Sequence, residues 1–186
     1  MLPTDYKLPQ TSSRYLKFQE GANKFRILSA PIFGYVGFVD DAETGKPSPI
    51  RSTDLNELDG TDWRVGGEPK YFWAMIIWDY KDKMVKILEI KQKTIIRAIY
   101  DYEKNEDWGD SRKYDLTVTR SGEKLDTTYT IMASPHKPLA AEIKAAYEAE
   151  SIDLKALFTG DNPFGKQEPE GRKEDNTIVD PDDLPF

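Results

Sequence analysis

Cysteine is absent from this chain, and histidine occurs once, as His136 in SPHKP. With no Cys there is no disulfide and no thiolate metal site, and a single His does not build a zinc centre; His136 reads as a loop or capping residue. A chain without cysteine suits a reducing cytosol, so a cytoplasmic location is expected. Long apolar runs are lacking too: no stretch nears the roughly 20 residues that span a bilayer. The opening MLPTDYKLPQ has neither the basic start nor the apolar segment of a signal peptide. Phosphate-binding glycine loops and nucleophile motifs are missing, and GDNPFGK lacks the spacing and the Ser/Thr of a P-loop. These residues predict neither an enzyme nor a bound cofactor.

Positive charge is in the minority. There are 26 Lys and Arg against 33 Asp and Glu, a net charge of −7. The imbalance is uneven: residues 167–186 hold seven acids and two bases, so most of the excess lies there. A nearly neutral body can still present a basic groove on one face, because polyanion binding depends on local charge.

What is present is a series of short apolar segments. Residues 1–13, rich in Pro, Thr and Ser, read as a flexible N-terminal arm. RYLKF (14–18) and FRILSAPIF (25–33) read as a strand pair, with GYVGFVD (34–40) extending the second strand through a bend at Gly34 and Gly37. Residues 41–69 form a long irregular connection, of a length that is usually functional or disordered. KYFWAMIIWDY (70–80) is the strongest strand, apolar on both faces, and MVKILEI (84–90) is its return. KTIIRAIYDYEK (93–104) switches to helical spacing, with Ile95, Ile96, Ile99 and Tyr100 in one stripe. KYDLTVTR (113–120) and LDTTYTIMAS (125–134) form a last hairpin, and PLAAEIKAAYEAE (138–150) a second helix. From residue 161 the chain has too few apolar residues for a core and reads as a disordered acidic tail. The body therefore spans 14–160. Apart from the opening RYLKF, three strands, a helix and two strands make a mainly β protein in the order of a five-stranded OB-fold barrel, with the helix between strands 3 and 4 and an extra C-terminal helix. That barrel binds oligonucleotides on its strand 2–3 face.

Binding single-stranded nucleic acid without sequence readout needs flat rings for bases to stack on and cations along the backbone path. Strand 70–80 offers Tyr71, Trp73, Trp78 and Tyr80. Alternation puts Tyr71, Trp73, Met75 and Ile77 on one face and Phe72, Ala74, Ile76, Trp78 and Tyr80 on the other. One set must be core, and the sequence leaves open which. Tyr35, Phe38, Trp63 and Trp108 sit in or beside loops and are further stacking candidates. Lys70, Lys81, Lys83, Lys86, Arg64, Arg112, Lys113 and Arg120 are the candidate backbone contacts.

The chain ends in DDLPF: Asp182, Asp183, Leu184, Pro185 and Phe186. This resembles the tail tip of bacterial single-stranded DNA-binding proteins. The resemblance implies partners from DNA replication, recombination and repair that hold the Phe186 ring in an apolar pocket, its carboxylate on a basic residue and the acids on surrounding cations. The body lacks the bacterial protein's motifs. With YLKFQEGANKFRIL and PKYFWAMIIWDY it resembles instead the single-stranded DNA-binding proteins of tailed bacteriophages, which implies OB-fold proteins with an acidic tail ending in Phe, working in the host cytoplasm. Two other readings remain. One is an adaptor whose barrel binds protein. The other is a nuclease with a D…ExK metal site at Asp79, Glu89 and Lys91.

Overall fold

The computed structural model of the chain describes residues 13–165; most of the N-terminal arm and the acidic tail, with Asp182, Asp183, Leu184, Pro185 and Phe186, lie outside the described residues. Seven strands form one open antiparallel sheet: β1 (Gly21–Ile27), β2 (Ile32–Asp40), β3 (Pro47–Ser52), β4 (Lys70–Asp79), β5 (Met84–Ile90), β6 (Asp115–Ser121) and β7 (Thr128–Ala133). Helix α1 (Lys93–Lys104) follows β5, and α2 (Ala141–Ala149) and α3 (Ala156–Thr159) follow β7. The order across the sheet is β3-β2-β4-β1-β6-β7, with β5 on the other edge of β4.

Strand β4 organises this arrangement. One of its edges is divided: Lys70–Ala74 pair with β2, and Ile77–Asp79 pair with β1. Between the two partners the chain turns through residues 28–31. There the Leu28 amide donates to the Ile76 carbonyl at 2.9 Å, and the Ser29 hydroxyl accepts from the Ile76 amide at 2.9 Å, so a side chain completes the ladder where the strands change over. The apolar character of both β4 faces is explained by two cores. Met75 and Ile77 pack with Phe25, Ile27, Leu88, Ile90, Leu116 and Val118 beneath Ile95 and Ile99 of α1. Phe72, Ala74, Ile76 and Trp78 pack on the reverse with Val85, Ile87, Tyr15, Ile143 of α2, Leu157 of α3 and Phe164.

The sheet departs from the expected five-stranded barrel. Seven strands are present because residues 25–40 break into β1 and β2, and because PSPIRS within the long connection forms β3. Two prolines are tolerated there because β3 lies at the sheet edge, where a missing N–H faces away from any partner. RYLKF makes only one parallel bridge, Tyr15 to Ile87. That segment occupies the free edge of β5, with the Leu16 amide on the Ile87 carbonyl and the Ile87 amide on the Arg14 carbonyl, both at 2.9 Å. Among the described residues β5 and β7 do not pair, and the sheet stays open. The packed chain continues past Gly160: the Phe164 ring meets Tyr15 edge-on at 5.6 Å under the Arg14 guanidinium. No helix of the described residues is long and apolar enough to cross a membrane.

A buried charge network pins β1, β4 and β6 together. The guanidinium of Arg26, 2 % exposed, donates to Asp115 Oδ1 at 2.8 Å, to the Arg112 carbonyl at 2.9 Å and to the Lys137 carbonyl. Tyr80 donates to the same carboxylate at 2.8 Å, and Lys24 reaches it at 3.2 Å. Burial pushes the Asp115 carboxyl up, but the hydrogen bonds from Tyr80, Arg26 and Lys24 together outweigh it and hold the group below its usual range. Burial, then the bond to Asp115, pushes the Tyr80 phenol up to about 12. The signs follow from linkage: Asp115 contributes stability that is present above the usual carboxylate range and lost in acid. Tyr80 contributes stability that is present below its ordinary value near 10 and lost as pH rises through about 12. Urea unfolding should therefore show stability falling between pH 10 and 12, less steeply in Tyr80→Phe. Asp115→Ala, which strands Arg26 in the interior, should cost about 3–5 kcal/mol at neutral pH.

Candidate functional site

The N-terminal end of β4 outlasts the core beneath it. On the face that holds Met75 and Ile77 deeper in, Trp73 is half-buried at the rim of the core and Tyr71 is 41 % exposed. Pairing with β2 places Phe33 opposite Trp73 and Tyr35 opposite Tyr71. Side chains opposite one another in an antiparallel ladder share a face, so four rings stand together. Tyr35 and Tyr71 meet edge-on at 5.5 Å, the Trp73 indole N–H lies 3.4 Å from the Tyr71 hydroxyl, and Phe33 is 57 % exposed.

Trp63 extends the row. It comes from the connection between β3 and β4, whose residues 64–67 fold back onto β2: the Arg64 amide donates to the Phe38 carbonyl and the Phe38 amide to the Gly67 carbonyl. Gly37 lies two residues beyond Tyr35 on the same face, and a Cβ there would stand 2.5 Å from the Trp63 ring. The glycine is what lets the indole approach the sheet this closely. Phe33, Tyr35, Trp63, Tyr71 and Trp73 thus form one partly exposed surface, about 13 Å long along β2 at the usual rise per residue. Beside Trp73 opens a cavity of about 400 Å³.

The other candidate rings have structural partners. Trp78 is buried on the reverse face, opposite Val85. Tyr80 is held by Asp115. Phe38 is buried with Lys91 over its ring, because its position in β2 points it away from the Tyr35 side. Trp108 packs between Tyr102 and Tyr114 at 5.4 and 5.3 Å, and its carbonyl bonds His136. His136 itself stacks on Tyr114. Phe33 went unread in the sequence; the signal was an aromatic next to Gly34 in a strand whose alternate residues are buried.

The candidate cations are dispersed. Lys86 is buried between Asp79 and Asp82, so it serves the hairpin and not the surface. Lys81 and Lys83 are exposed at the β4–β5 turn, about 26 Å along β4 from Tyr71. Arg120 is half-buried and donates to the Phe18 carbonyl, and Lys113 is exposed beyond the cavity. Near the rings stand Arg64, within 3.7 Å of Asp40, and Arg112, which lines the cavity and is paired with Asp110; Lys70 precedes Tyr71 but pairs opposite Val36, on the reverse face. The connection 53–69 adds Asp54, Glu57, Asp59, Asp62 and Glu68. The surface is therefore rich in rings and poor in positive charge.

The nuclease constellation does not assemble. Glu89 pairs opposite Ala74 on the reverse face, bound to Arg51 at 2.8 Å, whereas Asp79 points to the other face and binds Lys86. Among the described residues no group of three or more His, Cys, Asp or Glu is placed to hold a metal ion.

No family model matches the chain, and no solved structure does. A curated relative, described as a probable ssDNA-binding protein of Escherichia phage T5, is 23 % identical over 158 residues. The match covers 74 % of this chain and 61 % of the relative, so it leaves more than a third of that protein unmatched.

Gly37→Ala tests the geometry of the row directly. The added methyl must displace the Trp63 ring, so the tryptophan emission should shift to the red. Urea unfolding should lose about 1–3 kcal/mol.

Proposed function

We propose that this protein binds single-stranded DNA, with the bases stacking on Phe33, Tyr35, Trp63, Tyr71 and Trp73. The observation that carries this reading is the convergence of five rings, from β2, β4 and the connection between β3 and β4, on a surface the core leaves uncovered. Exposed apolar surface of this kind is costly to keep unless something binds there. Base–ring stacking is tolerant of sequence because every base has a flat face. The relative described as a probable ssDNA-binding protein supports the same reading. The protein acts by mass action, stabilising the unpaired strand relative to duplex, without chemistry of its own.

We further read the sheet as an opened OB-type arrangement. The helix stands between the third and fourth strands of that plan, and β1 bonds both β4 and β6. The work of such a protein belongs to phage DNA replication, recombination or repair in the host cytoplasm. Asp182, Asp183, Leu184, Pro185 and Phe186 are proposed to recruit partner proteins, on the strength of their sequence resemblance. The acidic segment also competes with DNA for the body's cations.

Band-shift titration with single-stranded DNA, duplex DNA and RNA tests the reading. Replacing Trp73 and Tyr71 by Ala should weaken single-strand binding by about 1–3 kcal/mol per stacked base, and Trp78→Phe, in the interior, should not. Unchanged affinity in the double variant would reject the proposed surface. Two cations near the rings, at about 0.7 per phosphate, predict a shallow slope of about −1.4 in log affinity against log salt. Removing residues 167–186 should tighten binding at low salt and end capture of partners. The scarcity of cations is what favours the adaptor reading. A partner protein that binds the ring surface undiminished by excess single-stranded DNA would establish the adaptor instead.

A further inference from the structure

The cavity beside Trp73 adds chemistry that flat stacking does not have. Trp73 forms one wall and Ile27, Met75 and Ile99 contribute apolar lining, while Glu103, Asp110 and Arg112 supply the polar edge. Its volume of about 400 Å³ accommodates a nucleobase of either size. The polar groups are partly engaged. Glu103 Oε1 accepts from the Ser111 amide at 2.8 Å, and both Asp110 oxygens accept from Arg112, through Nε and Nη2 at 2.9 Å. No bond to Glu103 Oε2 or Arg112 Nη1 is formed among the described residues. Salt-bridging to Arg112 holds the Asp110 carboxyl below its usual range. The lining sets two acidic side chains against one guanidinium, an arrangement that suits a base edge better than a phosphate.

We infer that the cavity takes one base of the bound strand against Trp73 and selects bases that carry an exocyclic amino group over thymine. This rests on the single-stranded DNA reading above. A carboxylate oxygen accepts from an amino group, as Glu and Asp do from cytosine N4, and the guanidinium donates to an adjacent ring nitrogen or carbonyl. Thymine has only its ring N–H to offer, set between two carbonyl oxygens, so its approach to Glu103 brings oxygen against oxygen. The consequence is a bias at one nucleotide within otherwise tolerant binding.

The test uses the full chain and fluorescence titration with oligo-dC and oligo-dT of equal length, which match in ring size, at pH 7.5 and fixed salt. Oligo-dC should bind tighter by about fivefold or more, the scale of one well-placed base contact. In Glu103→Gln the side-chain oxygen keeps the Ser111 amide and the NH₂ turns to the cavity, so the preference should vanish or reverse toward oligo-dT. Ala30→Leu narrows the mouth from an exposed position that precedes Pro31, where extended backbone admits any side chain. It should bring the two affinities together with the melting temperature unchanged. Equal affinities in the natural chain, or a preference unmoved in both variants, overturn the inference and leave single-strand binding standing. No binding of either oligomer overturns both.

Discussion

The structure depends on one strand being longer than the core it crosses. Ten residues of β4 share hydrogen bonds with β1, β2 and β5, and both faces are covered wherever α1 or the C-terminal helices reach. On the α1 side the cover ends near Trp73. Strand β2 continues the ladder beyond that point, so the sheet extends past its own packing and carries aromatic side chains out with it. An extended sheet without a second layer must still shield its apolar surface, and it does so here by packing ring against ring and laying Trp63 over Gly37. The same geometry leaves these rings half-exposed while seating Tyr35 against Tyr71 and Trp63 against Gly37. A ring already held by its neighbours loses little entropy when a base settles on it, which is the physical ground for placing the binding surface here.

Charge is used differently from what composition alone implies. Arg26, Arg51 and Lys86 are buried and bound to Asp115, Glu89 and Asp79. Arg26–Asp115 and Lys86–Asp79 join neighbouring strands, and Arg51–Glu89 joins β3 to β5, which β2 and β4 separate in the sheet. Such pairs contribute little net stability over apolar substitutes but penalise any register that would separate them. These charges fix pairing and are not available to a polyanion. Stacking therefore carries more of the proposed binding than phosphate contact, and the shallow salt dependence follows from the same count of cations.

Much of the fold was legible because periodicity reflects burial directly. Helix α1 covers the stretch its apolar stripe marks, and β4, β5 and β6 lie within a few residues of their sequence patterns. The connection 41–69 was not legible: β3 contains two prolines, and only the edge of an existing sheet makes room for them. Nor could alternation in KYFWAMIIWDY say which set of rings would be covered. That is settled by where α1, α2 and α3 dock, through contacts between residues far apart in sequence. Tyr71 and Trp73 were nominated together with Trp78 and Tyr80; the helices on the reverse face enclosed Trp78, and Asp115 secured Tyr80.

By itself, then, the amino-acid sequence determined the local quantities: which segments extend, which coil, where the acids gather and that the central strand is apolar on both sides. These follow from steric preference and hydrophobic period over a few neighbouring residues. Only the tertiary structure decided that the sheet stays open, because residues 14–16 and not β7 take the edge of β5. It alone brought Phe33, Trp63 and Trp73 to one surface and turned Lys86 inward, since each of these outcomes depends on hydrogen bonds and contacts between distant parts of the chain.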